Sequence, residues 1–256
     1  MLMVDLQHND METLFITGAS SGMGREMAIK FSDRFHIILN GRNEERLKET
    51  LSMCQNQEQH IIWPYDLSDI EHLEEALTSL IKQNALGIQY YVHCAGMMKN
   101  YPLKMVNVEL LQNTFNTNVF SAELITKVLI NKRLNSSNLK SVVYISSNIS
   151  GFGAKAHSVY GASKGAVDAM MKSLAMELAP NVRVNSILPG AVRTALTEHI
   201  FQDENLINRM KETYPLGIGE TSDIYNVINF LLSDGARWIT GQQITVDGGR
   251  TVNITG

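Results

Sequence analysis

The chain has only two cysteines in 256 residues, too few for a disulfide framework. Neither Cys54 nor Cys94 has a CxxC neighbour or a nearby histidine pair, so both are expected to be reduced and structural, and no metal site is expected. No apolar run is long enough to span a bilayer, and the opening MLMVDLQHNDME lacks the charged and apolar blocks of a signal peptide. A cytoplasmic protein with no membrane partner is the expectation. Lys and Arg number 22 against 26 Asp and Glu, giving a formal charge of −4 without a basic stripe, which argues against a nucleic-acid partner. Internal repeats and low-complexity linkers are also missing, so nothing divides residues 12–256, and residues 1–11 read as a polar lead-in.

What is present is an alternation of short apolar runs and helical patterns. Thr13 to Thr17, TLFIT, reads as a strand buried on both faces, and it runs into GASSGMG, Gly18 to Gly24, and then into the helical REMAIKF. Glycines let a backbone turn tightly against a pyrophosphate, and the free N–H groups of a helix start supply the positive end of a dipole. The unit repeats with Phe35 to Leu39, followed by a helix that Asn43 is placed to cap. Between them lie Asn40, Gly41 and Arg42, where an NAD-selective chain would place an acid on the ribose hydroxyl. Arg42 could fork onto a ribose phosphate instead, so NADP is expected over NAD.

His60 to Tyr65 is a third strand whose Pro64 suits a sheet edge. Asp66 and Leu67 close it and are placed to meet an adenine ring, while Asp66 or Ser68 is a candidate cap for a helix over Ile70 to Gln83. Tyr90 to His93 makes a fourth strand ending in Cys94, Ala95 and Gly96, small enough for a flat cofactor to approach the backbone. Residues 107–135 read as one long helix, and Asn118 inside it suggests an amide held for hydrogen bonding. Val142 to Ser147 is a strand ending in hydroxyls, followed by a loop and a helix beginning near Val159. On that helix Tyr160 and Lys164 are four residues apart, a spacing that stacks an ammonium beneath a phenol, where it would stabilise the ionised form.

The small residues Gly161, Ala162, Gly165, Ala166 and Ala169 predict close helix-to-helix approach and an oligomer contact. Val182 to Leu188 is a sixth strand ended by Pro189 and Gly190. Residues 191–215 suit a mobile flap over a substrate, Thr221 to Ser233 is a helix capped by threonine or serine, and Gln243 to Val246 is the last strand. Seven strands alternating with helices predict one α/β domain, a doubly wound parallel sheet with its site at the carboxyl ends of the strands.

The ordered set Thr17 to Gly24 (T-G-x-x-x-G-x-G), Ala95-Gly96, Asn118, Ser147, Tyr160 with Lys164, Pro189-Gly190 and Thr194, with the closing WITGQQITVDGG, resembles the short-chain dehydrogenase/reductase family along nearly the whole chain. The resemblance implies a Rossmann fold and hydride exchange between a nicotinamide and a secondary alcohol or carbonyl, of 3-oxoacyl or other ketone type. It implies a tetrad of Asn118, Ser147, Tyr160 and Lys164. Tyr160 would be the general acid or base, Ser147 would polarise the substrate oxygen, Lys164 would bind the nicotinamide ribose and depress the phenol's pKa, and Asn118 would position a water. Ser147 is preferred over Ser146 because it stands thirteen residues before the tyrosine, as in the family.

Gly18, Ser20, Ser21, Gly22, Met23 and Gly24 would lie along the phosphates, and Pro189, Gly190, Val192 and Thr194 along the nicotinamide. A homo-oligomer, tetramer or dimer, is expected. Two positions depart from the pattern. His93-Cys94 replaces the usual Asn-Asn, removing an amide that steadies the sheet, and Ser21 stands where phosphate-cofactor members often carry a basic residue. The substrate is a small molecule whose pocket Phe152, His157, Ala191 and residues 196–215 would shape. A catalytically silent dinucleotide-binding regulator is the alternative from another class, against which Ser147 and Tyr160 together argue. A nucleotide-sugar epimerase fits less well, because the glycine turn is spaced differently and its longer C-terminal substrate region has no counterpart.

Overall fold

The structure is a computed structural model describing residues 11–194, 208, 210 and 212–252. Its strands are β1 (Thr13–Thr17), β2 (His36–Gly41), β3 (Ile61–Pro64), β4 (Ile88–His93), β5 (Ser141–Ile145), β6 (Arg183–Pro189) and β7 (Gln243–Val246). All pair in parallel in the order β3-β2-β1-β4-β5-β6-β7, the seven-stranded doubly wound sheet expected from the sequence. Pro64 lies at the free end of the edge strand β3, where its missing N–H breaks no ladder.

The helices are α1 (Gly22–Phe31), α2 (Glu44–Ser52), α3 (Leu73–Gln83), α4 (Val108–Phe115), α5 (Ser121–Leu129), α6 (Lys132–Asn135), α7 (Ser158–Leu178) and α8 (Thr221–Leu232). Side chains on a strand alternate between faces, so Leu14 and Ile16 join Ile37, Leu39, Val143 and Ile187 in the core closed by α1 and α8. Phe15, Ile38, Tyr91, Val142 and Val184 face the opposite core, closed by α3, α5 and α7. Apolar cover on both faces is why β1 is buried at every position.

The helix expected over residues 107–135 is not continuous. It is interrupted by a π turn at Asn116–Phe120, which carries the buried Asn118, and it ends at Leu129 before the short α6. A widened turn inserts a residue and re-aims the side chains around it, and no periodicity in the apolar positions announces it. Two expected caps are also corrected. Asp66 folds back on Ser68, accepting from its N–H and its hydroxyl at 2.9 Å each, so α3 starts later, with His72 at its N-cap. Helix α8 is capped by Glu220, paired reciprocally with Asp223, and not by threonine or serine. Asn43 does cap α2, accepting from the Arg46 N–H.

Candidate active site at the carboxyl ends of the strands

Strand order reverses between β1 and β4, which opens a crevice at their carboxyl ends. Gly18 turns the chain there with φ +68°, and a Cβ on it would lie 2.8 Å from the Ala95 nitrogen and 2.9 Å from the Ala95 Cα. Only glycine permits both the left-handed backbone and this contact. At Gly24 a Cβ would collide with the Gly18 carbonyl oxygen, so the first turn of α1 is pressed against the loop. Ser21, the N-cap residue, makes no side-chain capping bond and the first turn holds no acid. The N–H groups of Gly22, Met23 and Gly24 therefore face a cleft of about 480 Å³ with their dipole unopposed, which fits a pyrophosphate.

That cleft is lined by Gly18, Ser20, Ser21, Gly22, Met23, Gly24, Asn40, Arg42, Asp66, Leu67, Cys94, Ala95, Gly96 and Thr194. The Asn40 side chain also pins β2 to the end of β3, donating to the Trp63 and Tyr65 carbonyls at 3.1 and 3.2 Å. The Arg42 guanidinium is 76% exposed and stands 4.0 Å from the Asp66 carboxylate, a loose pairing that leaves most of its donors free. Arg46, Tyr65, Lys99 and Thr117 line the same cleft and were not singled out from the sequence. The available signal for Arg46 was its place in the first turn of α2, four residues after Arg42. Met97 and Met98, in the loop after β4, also contribute to the wall.

Gly96 joins this cleft to the buried polar group behind it. A Cβ built on Gly96 would stand 3.4 Å from Lys164 Nζ and 3.7 Å from Asn118 Oδ1. The Lys164 ammonium donates to the Ile145 carbonyl at 2.7 Å and lies 5.8 Å from the centroid of the Tyr160 ring, one turn earlier on α7. Asn118 clamps Met97 from both sides, its Oδ1 accepting from the Met97 N–H at 2.7 Å and its Nδ2 donating to the Met97 carbonyl at 3.2 Å and to Ser163 Oγ at 3.0 Å. The two serines after β5 separate clearly. Ser146 Oγ donates to the Lys164 carbonyl at 3.3 Å, whereas the Ser147 side chain faces the Tyr160 phenol.

Burial is the dominant electrostatic influence here. It pushes the Tyr160 phenol above its ordinary value, with the Ser147 hydroxyl pulling in the opposite direction. The expected depression of the phenol by Lys164 is therefore not met by the chain's own charges. The ammonium itself is brought down to about 8, again by burial, with Asp168 and then Cys94 opposing. Cys94 is held as a thiol, pushed up to about 12 by burial.

His93 compensates for the amide its position lacks. Thr17 Oγ1 and Tyr91 Oη lie 3.0 and 2.7 Å from its Nδ1, and the same Thr17 oxygen accepts from the Ala95 N–H at 3.2 Å. Burial, aided by Lys164, lowers this imidazole to about 3, so it ties β1 to β4 as a neutral group.

Pro189, the last residue of β6, and Gly190 and Val192 just beyond it do not line the cleft. Gly190 packs against Asp247 and Tyr214, and Val192 borders a separate cavity of about 330 Å³. His157, the N-cap residue of α7, sets its ring at 65° to that of Tyr160 with centroids 6.3 Å apart. Of the expected flap at 191–215, residues 195–207, 209 and 211 lie outside the described residues, as do residues 1–10 of the lead-in.

Comparison with known proteins agrees with this geometry. The family model described as Enoyl-(Acyl carrier protein) reductase matches residues 18–251. A tropinone reductase homolog of Arabidopsis thaliana is 33% identical over 94% of this chain and 91% of its own length. The L-xylulose reductase of Caenorhabditis elegans is 32% identical over 94% of this chain and 96% of its own. Among solved structures, 4-hydroxyisoleucine dehydrogenase complexed with NADH superposes with a TM-score of 0.88 at 28% identity, covering 94% of this chain and 99% of that one. A glycine turn that fits a pyrophosphate, a Tyr160–Lys164 pair behind it and full-length similarity place this chain in the short-chain dehydrogenase/reductase family of NAD(P)-binding oxidoreductases.

Proposed function

We propose that the chain reduces a ketone, of 3-oxoacyl or related carbonyl type, or oxidises the corresponding secondary alcohol, using NADP(H) in preference to NAD(H). The observation that carries this reading is the grouping of Lys164 and Asn118 behind Gly96, with Tyr160 one turn before Lys164 and Ser147 beside its phenol, next to a cleft that Arg42 and Arg46 line. When bound, the nicotinamide dinucleotide supplies or accepts the hydride. The glycine turn and the start of α1 hold its pyrophosphate, and the two arginines hold a ribose phosphate, for which an acid at the end of β2 would be repulsive. Lys164, held in place by the Ile145 carbonyl, has its remaining N–H donors for the nicotinamide ribose.

Ser147 polarises the substrate oxygen while Tyr160 donates its proton as charge develops there, so no free alkoxide forms. Burial keeps the Tyr160 phenol protonated, the form from which a proton can be donated. Asn118 spends its amide on Met97 and so fixes the wall between cleft and reaction centre.

The raised phenol also favours the second reading, a dinucleotide-binding regulator without turnover. Incubation with NADPH or NADH and a panel of ketones and 3-oxoacyl thioesters separates the two. Oxidation of the nucleotide dependent on a panel member is expected, and tight nucleotide binding with no oxidation across the panel supports the regulator. The solved relative carrying NADH makes relative affinity for the two nucleotides the first quantity to measure.

The chain is further proposed to be one domain over residues 12–256 and a cytoplasmic homo-oligomer, dimer or tetramer. Support for the compartment comes from two free cysteines and from the absence, among the described residues, of a helix able to cross a membrane. Ala162, Gly165 and Ala169 are incompletely buried along one side of α7, with open space above Gly165, while Gly161 packs on Ile149. Val108 and Phe120 are exposed on the neighbouring segment. Light scattering that reports a monomer would remove this part of the proposal.

A further inference from the structure

Helix α7 carries a third buried polar group in line with the pair already described. Tyr160, Lys164 and Asp168 follow at intervals of one turn on a single face, and Lys164 and Asp168 are only 3% and 4% exposed. Side chains on a helix lean toward its N-terminus, so the Asp168 carboxyl leans toward the turn of Lys164. One of its oxygens accepts from the Ser186 hydroxyl of β6 at 2.8 Å, which fixes the group, and the other is buried without a hydrogen-bond partner. The Lys164 ammonium donates to a neutral carbonyl, and no carboxylate lies within ion-pair distance of it among the described residues. A buried charge without compensation is strongly disfavoured.

The other groups around Lys164 do not balance it. On its own helix Tyr160 keeps its proton. At the end of β4, His93 is neutral and Cys94 remains a thiol. The end of β5 offers a carbonyl and two serine hydroxyls, and the π turn offers the amide of Asn118. Asp168 is the group whose charge favours that of Lys164 most.

We propose that Asp168 is a positioning residue of the reaction centre, a buried counter-charge held by Ser186 that keeps Lys164 cationic in its contact with the nicotinamide ribose. The inference rests on the function proposed above for Lys164, but the charge can be read without turnover. Competitive acetylation with acetic anhydride across a pH series, followed residue by residue by mass spectrometry, reports the titration midpoint of Lys164. In Asp168→Asn, an isostere that still accepts from Ser186, the midpoint is expected to fall by about one pH unit or more from its wild-type position near 8. In Ser186→Ala, which keeps the carboxylate but removes its hydrogen bond, it should move much less.

An unchanged midpoint in folded Asp168→Asn overturns the proposal, and so does an equal shift in Ser186→Ala, which would assign the effect to packing. If Asp168→Asn does not fold, Asp168→Ser decides: it removes the carboxylate in a second way, the Lys164 midpoint should fall by a comparable amount, and an unmoved midpoint overturns the proposal. Protection of Lys164 from acetylation by NADPH or NADH is scored separately. Its absence would count against the proposed ribose contact while leaving the Asp168 comparison intact.

Discussion

The glycine turn after β1 and the buried group on α7 use opposite means to prepare for the two ends of one ligand. In the turn the ligand-facing surface is backbone. Gly18 touches Ala95 and Gly24 touches the Gly18 carbonyl at distances no side chain would allow, and the dipole of α1 is exposed because no acid or cap answers it. Around Tyr160 and Lys164 the surface is side chain, and every property depends on burial: the phenol is pushed up, the ammonium down, and Asn118 is spent on holding Met97. A turn of the first kind is rigid and indifferent to pH. A group of the second kind is tuned by its surroundings and is sensitive to single atoms.

The contrast is sharpest for Tyr160→Phe, which removes one oxygen from the tuned region and nothing from the turn. Turnover is expected to fall by roughly 10³-fold or more while nucleotide affinity stays within about threefold, measured by steady-state kinetics and by fluorescence titration. Full activity in this variant would refute the role of the phenol. Gly18→Ala attacks the turn instead. It combines a left-handed backbone, costing about 1–2 kcal/mol, with a contact against Ala95, so affinity for both nucleotides should fall by at least about tenfold and the melting temperature should drop. Unaltered binding would show that the turn is softer than its contacts imply.

Arg42→Ala is a smaller change at the outer end of the cleft. Loss of one charge-assisted contact should weaken NADPH binding by about tenfold and NADH binding hardly at all, with Arg46 retaining part of the phosphate affinity. Equal losses for both nucleotides would mean that Arg42 does not read the phosphate.

The smallest expected effect lies away from both regions. His36 and His60 at the amino end of the sheet have lowered pKa values, chiefly through burial, as His93 has near the site. For such groups both states are neutral above the unfolded value of about 6.5. As pH falls through that value the unfolded chain binds more protons, and stability is lost progressively toward the lowered folded values. The urea midpoint should therefore be lower at pH 5 than at pH 8. A higher midpoint at pH 5 would contradict the neutral, buried state of these rings.

Much of the fold was legible because it follows from local pattern. The limits of β1 and β7 were readable to the residue, β1 as a continuous apolar run covered on both faces and β7 as an alternating edge strand whose Ile244 and Val246 pack on the core while Gln243 and Thr245 are exposed. Asn43 was readable as a cap for the same local reason. The π turn was not, because Asn118 is drawn inward by the backbone of Met97, a partner distant in the chain. The caps of α3 and α8 were misassigned where several polar residues compete within one turn, and geometry chooses among them.

The candidate site divides in the same way. The glycine turn from Gly18 to Gly24 and the Tyr160–Lys164 pair could be singled out from residue type and spacing, because a tight turn needs glycine and an i, i+4 pair shares a helix face whatever surrounds it, whereas the choice of Ser147 over Ser146 came from the family resemblance. Sequence alone thus determined the strand-and-helix alternation, the glycine turn after β1 and the stacking of a phenol above an amine. Tertiary structure alone decided that Arg46 faces the cleft, that His93 braces β1 against β4, that Asp168 is Lys164's counter-charge candidate, and that burial raises the phenol. Desolvation and long-range pairing depend on what lies across the interior, and no stretch of consecutive residues records that.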